Sequence, residues 1–190
     1  MQCCVFRNHG VRYGYDMENR LTLIMTEAEI KEAVAKVASA IQRDFKGKTP
    51  VLIGVLKGSF VFMADLARAL DMPLEVDFIR VSSYGMSDSP GEDARITKDI
   101  EIDIKGRHVL VVEDISDRGV TVKKVLDHLN GKNPAVLKLC ALLMRDGCEA
   151  ASKVDYFGKT IGKGFVVGYG LDYKERFRNL PALYAMEGKE

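Results

Sequence analysis

The chain of 190 residues is long enough for one domain with a substantial core. Hydrophobic residues make up 47% and charged residues 29%, an ordinary globular balance. A formal net charge of +1 excludes a global field that draws the protein to nucleic acid or anionic lipid, so an anionic substrate must be held by local charges and backbone dipoles. No apolar run approaches the roughly 18 to 20 residues of a membrane span, and the opening MQCCVFRNHGVRYGYD lacks the continuous apolar stretch of a secretory signal. The default expectation is a cytoplasmic protein, with no membrane or nucleic-acid partner. The four cysteines, Cys3, Cys4, Cys140 and Cys148, show no C-x-x-C spacing. Residues 1–20 differ from the periodic sequence after them and are expected to form a loosely ordered tail, with Met17 a candidate start and 21–190 the folded domain.

Thr26-Glu27-Ala28-Glu29 is a capping box, and Ile30, Val34, Val37, Ala38, Ile41 and Phe45 repeat at helical spacing, which predicts a helix over 27–45. VLIGV (51–55) reads as a buried strand, followed by LKGSF and a helix to Leu70. LEVDFIRV (74–81) is a strand, and the polar stretch SSYGMSDSPGEDARITK after it is long for a compact domain, as functional loops are. HVLVV (108–112) is another buried strand. Val122, Val125, Leu126 and Leu129 mark the next helix, ended by Gly131. Further strands are expected at 136–144, 154–157 and 165–169. Short apolar strands alternating with amphipathic helices imply an α/β fold, a parallel sheet with helices on both faces. Ligands in such sheets bind beyond the carboxyl ends of the strands.

One such end carries the most informative segment. Val109-Leu110-Val111-Val112 runs into Glu113 and Asp114, then Ile115-Ser116-Asp117-Arg118-Gly119-Val120-Thr121 opens a helix. The loop and helix N-terminus offer unpaired N–H groups and the positive end of a dipole, a seat for a phosphate. Gly119 lets the backbone approach an anion, and the Thr121 hydroxyl can add a hydrogen bond. Glu113 and Asp114 can accept from sugar hydroxyls or coordinate Mg²⁺. The competing reading is structural: the two acids only cap the strand end, and Asp117 is the helix N-cap.

This segment resembles the binding motif for 5-phosphoribosyl 1-pyrophosphate (PRPP) in type I phosphoribosyltransferases, and its Glu-Asp order is similar to their 6-oxopurine branch. The resemblance extends over roughly residues 21 to 180. Leu56-Lys57-Gly58-Ser59 resembles that branch's pyrophosphate loop. Val76-Asp77-Phe78-Ile79-Arg80 with Ser83-Tyr84 resembles the strand and start of its mobile catalytic loop. Phe165-Val166-Val167-Gly168-Tyr169-Gly170-Leu171-Asp172-Tyr173 is similar to its purine-binding segment, and Arg178 falls where the family has a pyrophosphate-contacting arginine. The resemblance implies a central parallel sheet flanked by helices with a small hood subdomain, and phosphoribosyl transfer to hypoxanthine and guanine in purine salvage.

Carried over residue by residue, the resemblance implies that Glu113 and Asp114 hold the ribose hydroxyls, and that the turn from Asp117 through Arg118, Gly119 and Val120 to Thr121, with Ile115 before it, holds the 5′-phosphate. Asp117 also approaches the purine N7 as the candidate general acid/base. Pyrophosphate falls to Lys57, Gly58 and Arg178, with Mg²⁺ at Asp172, Glu113 and Asp114, and the peptide before Lys57 can be cis. Ser83 and Tyr84 fold over the site, Phe165 stacks on the base, and Val166 and Asp172 read its edge. Arg145 stands where the family has a lysine for the 6-oxo group. Arg118 replaces a Thr or Ser, and either bonds phosphate or pairs with Asp117 and holds it away from N7. Phe165 is either a stacking partner or a core aromatic. The resemblance also implies a homodimer or homotetramer. A PRPP-binding regulator on the same fold, or a xanthine-preferring relative, is the alternative.

Overall fold

The computed structural model describes residues 21–83, 94–117, 119–147 and 154–188, with only the backbone of Ser83, Ala94 and Val120. The proposed tail, Tyr84, Arg118, Cys3, Cys4 and Cys148 lie outside the described residues.

Strand β1 (Leu21–Met25) leads into helix α1 (Glu27–Asp44). The capping box closes there: the Glu29 N–H donates to Thr26 Oγ1 at 3.2 Å, and the Thr26 N–H donates to Glu29 Oε2 at 2.8 Å. These bonds satisfy donors the first helical turn leaves open. There follow β2 (Val51–Leu56), α2 (Phe60–Ala69), β3 (Glu75–Ser83), β4 (Ala94–Lys98) and β5 (His108–Ser116). The chain continues through α3 (Val120–Asn130), β6 (Val136–Arg145), β7 (Tyr156–Ile161), β8 (Phe165–Val167) and β9 (Leu183–Met186).

Six strands form one sheet in the order β4-β3-β2-β5-β6-β7, parallel except for the antiparallel edge strand β4. Side-chain alternation splits each central strand between two cores. Leu52, Leu110, Val112, Cys140 and Leu142 pack with α1 and α2, whereas Val51, Ile53, Val109, Val111 and Leu139 pack with Val122, Val125 and Leu129 of α3. Continuous apolar runs are what a sheet covered on both faces requires. Cys140 is a buried free thiol, as a small core hydrophobe is.

Several boundaries differ from the sequence expectations. The polar stretch after β3 contains β4, whose Arg95 and Ile96 pair with Ser82 and Val81. β5 runs on through both acids to Ser116, because Glu113, Ile115 and Ser116 pair with Ala141, Leu143 and Met144 of β6. β7 lies at 156–161 rather than 154–157, and β8 stops at Val167 because Gly168, Tyr169 and Gly170 take φ of +100°, +49° and +102°, which no strand accommodates. The first and last strands meet in a second sheet, β1-β9-β8, which forms the small hood.

The chain leaves β2 toward β3 on one side and β5 toward β6 on the other. The carboxyl ends of β2 and β5 therefore sit side by side where the winding reverses, the position at which ligands bind in doubly wound sheets.

Candidate active site

At the end of β2 the Leu56–Lys57 peptide is cis and leads into Gly58. A Cβ on Gly58 would stand 1.7 Å from Asp114 Oδ2, so a glycine here lets the β2 loop lie against the carboxylate on β5. From the hood side, Gly170 presses on the same loop: at φ +102°, its own Cβ would stand 2.3 Å from the Gly58 carbonyl oxygen. Two glycines thus bring the β2 loop, strand β5 and the hood loop together. The cleft between them has a volume of about 290 Å³, and its walls include Lys57, Gly58, Asp114, Asp117, Phe165 and Arg178.

Helix α3 begins just after Asp117, and its start bears on the capping reading of that residue. The residue before α3 is the N-cap Gly119 at φ +75°, which has no side chain with which to cap the helix. Asp117 is therefore not the N-cap, and its carboxylate lies half-exposed on the cleft wall, 4.0 Å from Arg145 Nε. The first-turn N–H groups of α3 receive no capping bond from Gly119, and such a helix start is a site at which anions can bind. The Thr121 side chain is exposed in that first turn.

The two acids of β5 differ. Asp114 is buried, accepts from the Ile115 N–H at 2.8 Å and lines the cleft. Glu113, on the opposite pleat, is buried with Oε2 unpartnered. Burial, then the neighbouring Asp114 charge, pushes its carboxyl well above the usual carboxylate range.

The last wall belongs to the hood. Arg178 Nη2 pairs with Asp172 Oδ1 at 2.7 Å, Nη1 donates to the Gly170 carbonyl at 2.8 Å, and Nε is buried without a partner. Phe165 is half-buried on the cleft wall, its ring edge-on to Tyr173 at 5.5 Å between centroids. Phe165 packs on the hood core, as a core aromatic does, and also borders the cleft.

Residues 24–174 match the family described as the phosphoribosyl transferase domain. The chain is 44% identical over 168 residues to the hypoxanthine phosphoribosyltransferase of Salmonella typhimurium, covering 87% of this chain and 94% of that one. It is also 44% identical over 160 residues to the hypoxanthine-guanine phosphoribosyltransferase of Streptococcus pneumoniae, covering 84% and 89%. A crystal structure of a hypoxanthine-guanine phosphoribosyltransferase from Bacillus anthracis superposes with a TM-score of 0.81 at 38% identity, covering 89% of this chain and 99% of that one. The chain belongs to the phosphoribosyl transferase family.

Within this phosphoribosyltransferase, the cleft gathers most of the residues singled out in the sequence: Lys57, Gly58, Asp114, Ile115, Asp117, Arg145, Phe165, Val166, Asp172 and Arg178. Glu113 is not on its wall, and among the described residues no group of three carboxylates, histidines or cysteines forms a metal cage. Ser83 ends β3 opposite Ala94. Arg145, at the end of β6, donates through Nη1 and Nη2 to the Gly162 and Gly164 carbonyls, so most of its guanidinium holds the turn before Phe165. Glu175 did not stand out in the sequence, yet its carboxylate contacts both Lys57 and Arg178. The spacing Glu-x-x-Arg in residues 175–178 was the available local signal; the Lys57 contact, 118 residues away in sequence, had none.

Proposed function

We propose that this chain catalyses Mg²⁺-dependent transfer of the 5-phosphoribosyl group from PRPP to a 6-oxopurine, hypoxanthine first and guanine second. The products are the purine nucleotide and pyrophosphate. The observation that carries this reading is the meeting, on one cleft, of the Lys57–Gly58 loop, of Asp114 and Asp117 from the end of β5 just ahead of α3, and of Arg178. The 5′-phosphate would sit at the α3 N-terminus, on the backbone of Gly119 and Val120 and the Thr121 hydroxyl, with Arg118 beside it. Asp114 would hold the ribose hydroxyls, whereas Glu113, assigned the same role from the resemblance, lies off the cleft wall. Lys57, Gly58 and Arg178 would take the pyrophosphate.

As the bond from the anomeric carbon to pyrophosphate breaks, positive charge develops on the sugar. Fixed carboxylates and amide dipoles can stabilise it without reorganising. Phe165 and Val166 would place the base, and Asp117 would take the proton that the purine loses at N7. Arg145, fixed by the Gly162 and Gly164 carbonyls, leaves Nε toward Asp117 and the base. Ser83 and Tyr84 would close over the site and exclude the water that competes for the sugar cation.

Asp114 and Asp172 offer hard oxygen donors from two walls of the cleft, and the unpartnered Glu113 Oε2 lies on the same strand. One or two carboxylates completed by substrate phosphates is the usual way proteins hold Mg²⁺. The ion would supply charge to neutralise the departing pyrophosphate. Residues 21–190 are read as one catalytic domain working in the cytoplasm as a homodimer or homotetramer, on the strength of the family resemblance. No helix among the described residues is long and apolar enough to cross a membrane.

The decisive experiment is a spectrophotometric assay of hypoxanthine, guanine, xanthine and adenine with PRPP, run with Mg²⁺ and with EDTA. Turnover of hypoxanthine and guanine that vanishes with EDTA and returns with Mg²⁺ is expected. Absence of turnover with every base, alongside intact PRPP binding, would favour a regulator on the same fold.

A further inference from the structure

Lys57 and Arg178 come from opposite ends of the chain, one on the loop after β2 and the other in the hood, and both border the cleft. Between them stands a carboxylate. Glu175 Oε1 is 2.9 Å from Lys57 Nζ, and Glu175 Oε2 is 3.2 Å from Arg178 Nη2. The bridge follows from the local backbone. The Glu175 N–H donates to Asp172 Oδ2 at 2.8 Å, closing a tight turn in which Lys174 and Glu175 take left-handed φ of +51° and +62°. That turn is held by the carboxylate of Asp172, whose other oxygen pairs with Arg178. The Lys57 hydrogen bond and then the Arg178 hydrogen bond lower the Glu175 carboxyl below the usual range, so it is ionised at neutral pH.

We propose that Glu175 is a built-in counter-anion of the pyrophosphate subsite: its carboxylate spans Lys57 and Arg178 in the empty enzyme, yields to the pyrophosphate group of PRPP, and returns as the product leaves. This rests on the pyrophosphate role of Lys57 and Arg178 given above. Two cations converging on an empty cleft repel each other and attract any cellular anion. A tethered carboxylate removes both problems. On the Glu175 side these ion pairs are open to solvent, its side chain retaining 64% of its accessible surface, and such pairs are individually weak. A ligand with several negative charges, arriving with its metal ion, displaces the carboxylate. A monovalent anion does not. Glu175 touches neither the reacting carbon nor the base in this scheme, so it acts through the two cations as a positioning residue for the leaving group.

The direction of the effect separates this role from simple structural support. Calorimetric titration of the full chain with Mg²⁺ and inorganic pyrophosphate should show Glu175→Gln binding about 5- to 10-fold more tightly than wild type, the gain expected when one or two weak exposed pairs no longer compete. The gap should narrow in high salt, which screens exposed pairs. The KM for PRPP should fall by a similar factor while kcat does not rise, since product then leaves more slowly. Glu175→Asp, which retains the charge on a shorter arm, should lie between the two. Equal or weaker pyrophosphate binding by Glu175→Gln, in a variant that melts at the wild-type temperature, overturns the proposal. Wild type that binds neither pyrophosphate nor PRPP instead overturns the assignment of Lys57 and Arg178, a separate failure.

Discussion

The contact between Gly58 and Asp114 is the tightest constraint on the cleft, and Gly58→Ala tests it. The added methyl would stand 1.7 Å from Asp114 Oδ2 and 2.5 Å from Cγ, against 3.4 Å or more for an ordinary contact. One partner must retreat by roughly 2 Å, since carbon contacts are optimal only at about 3.5–4.0 Å. The β2 loop cannot retreat easily, because the Gly58 carbonyl already abuts Gly170. The Asp114 carboxylate therefore swings, giving up its bond from the Ile115 N–H. Losing a hydrogen bond to a charged group costs about 1.5–3 kcal/mol, in the range typical of overpacking. In a domain of this size that is a fall in Tm of about 3–12 °C, readable by calorimetry. Activity should suffer more: a displacement of about 1 Å can cost about 100-fold in kcat/KM. Removing the obstructing atoms should restore stability, so Gly58→Ala/Asp114→Ala should melt above the sum of the two single variants by about 1 kcal/mol or more. Wild-type Tm and turnover in Gly58→Ala, or strict additivity in the double variant, would refute this account.

Three other substitutions probe separate features. Asp117→Asn should lower kcat by about 100-fold or more with PRPP binding retained, because general acid/base catalysis typically contributes 10²–10⁴; wild-type turnover would remove Asp117 from proton transfer. Arg145→Lys cannot span both the Gly162 and Gly164 carbonyls, so Tm should fall by about 2–6 °C at 2–4 °C per kcal/mol, and KM for the purine should change while that for PRPP does not. An unchanged Tm with an unchanged purine KM would contradict the tether. Asp99 sits between α3 and β4: burial raises its pKa, but Lys132, His128 and the Ile100 N–H overcome that and bring it to about 2. A lowered carboxyl pKa contributes stability above its unfolded value of about 3.9, lost as pH falls toward 2. Asp99→Asn should therefore cost about 1 kcal/mol at pH 7, discounted because the side chain is 40% exposed, and in urea titrations the gap to wild type should begin to shrink below about pH 4 and nearly vanish by about pH 2. A gap undiminished at pH 2 would show that ionisation of Asp99 is not its source.

Much of this molecule is written in local patterns. The capping box at Thr26 and the helical spacing after it locate α1 because helix signals depend on neighbours three and four residues apart. The apolar runs of β2, β5 and β6 announce buried strands, and the run of Glu113, Asp114 and Asp117 ahead of Gly119 announces a phosphate-type turn. The family match, spread over several ordered segments, carried the site further than any single segment could. What no local pattern contains is pairing between distant segments. β1 and β9 find each other across almost the whole chain, and β4 appears in a polar stretch only because the edge of β3 offers it open hydrogen bonds. That Asp117 is not a helix cap was undecidable from sequence, since an Asp two residues before a Gly is compatible with either role; the left-handed Gly119 settles it. Likewise Gly58 and Gly170 look like ordinary turn glycines until Asp114 and the Gly58 carbonyl are found within the volume of a methyl group. Glu175 reads as a solvated charge until Lys57 arrives from the other end of the chain. The sequence therefore determined the elements and the chemical types at their ends, because those depend on near neighbours. Tertiary structure alone decided which ends meet and which carboxylate is buried, capped or paired, because close packing and charge pairing act between residues that the chain itself holds far apart.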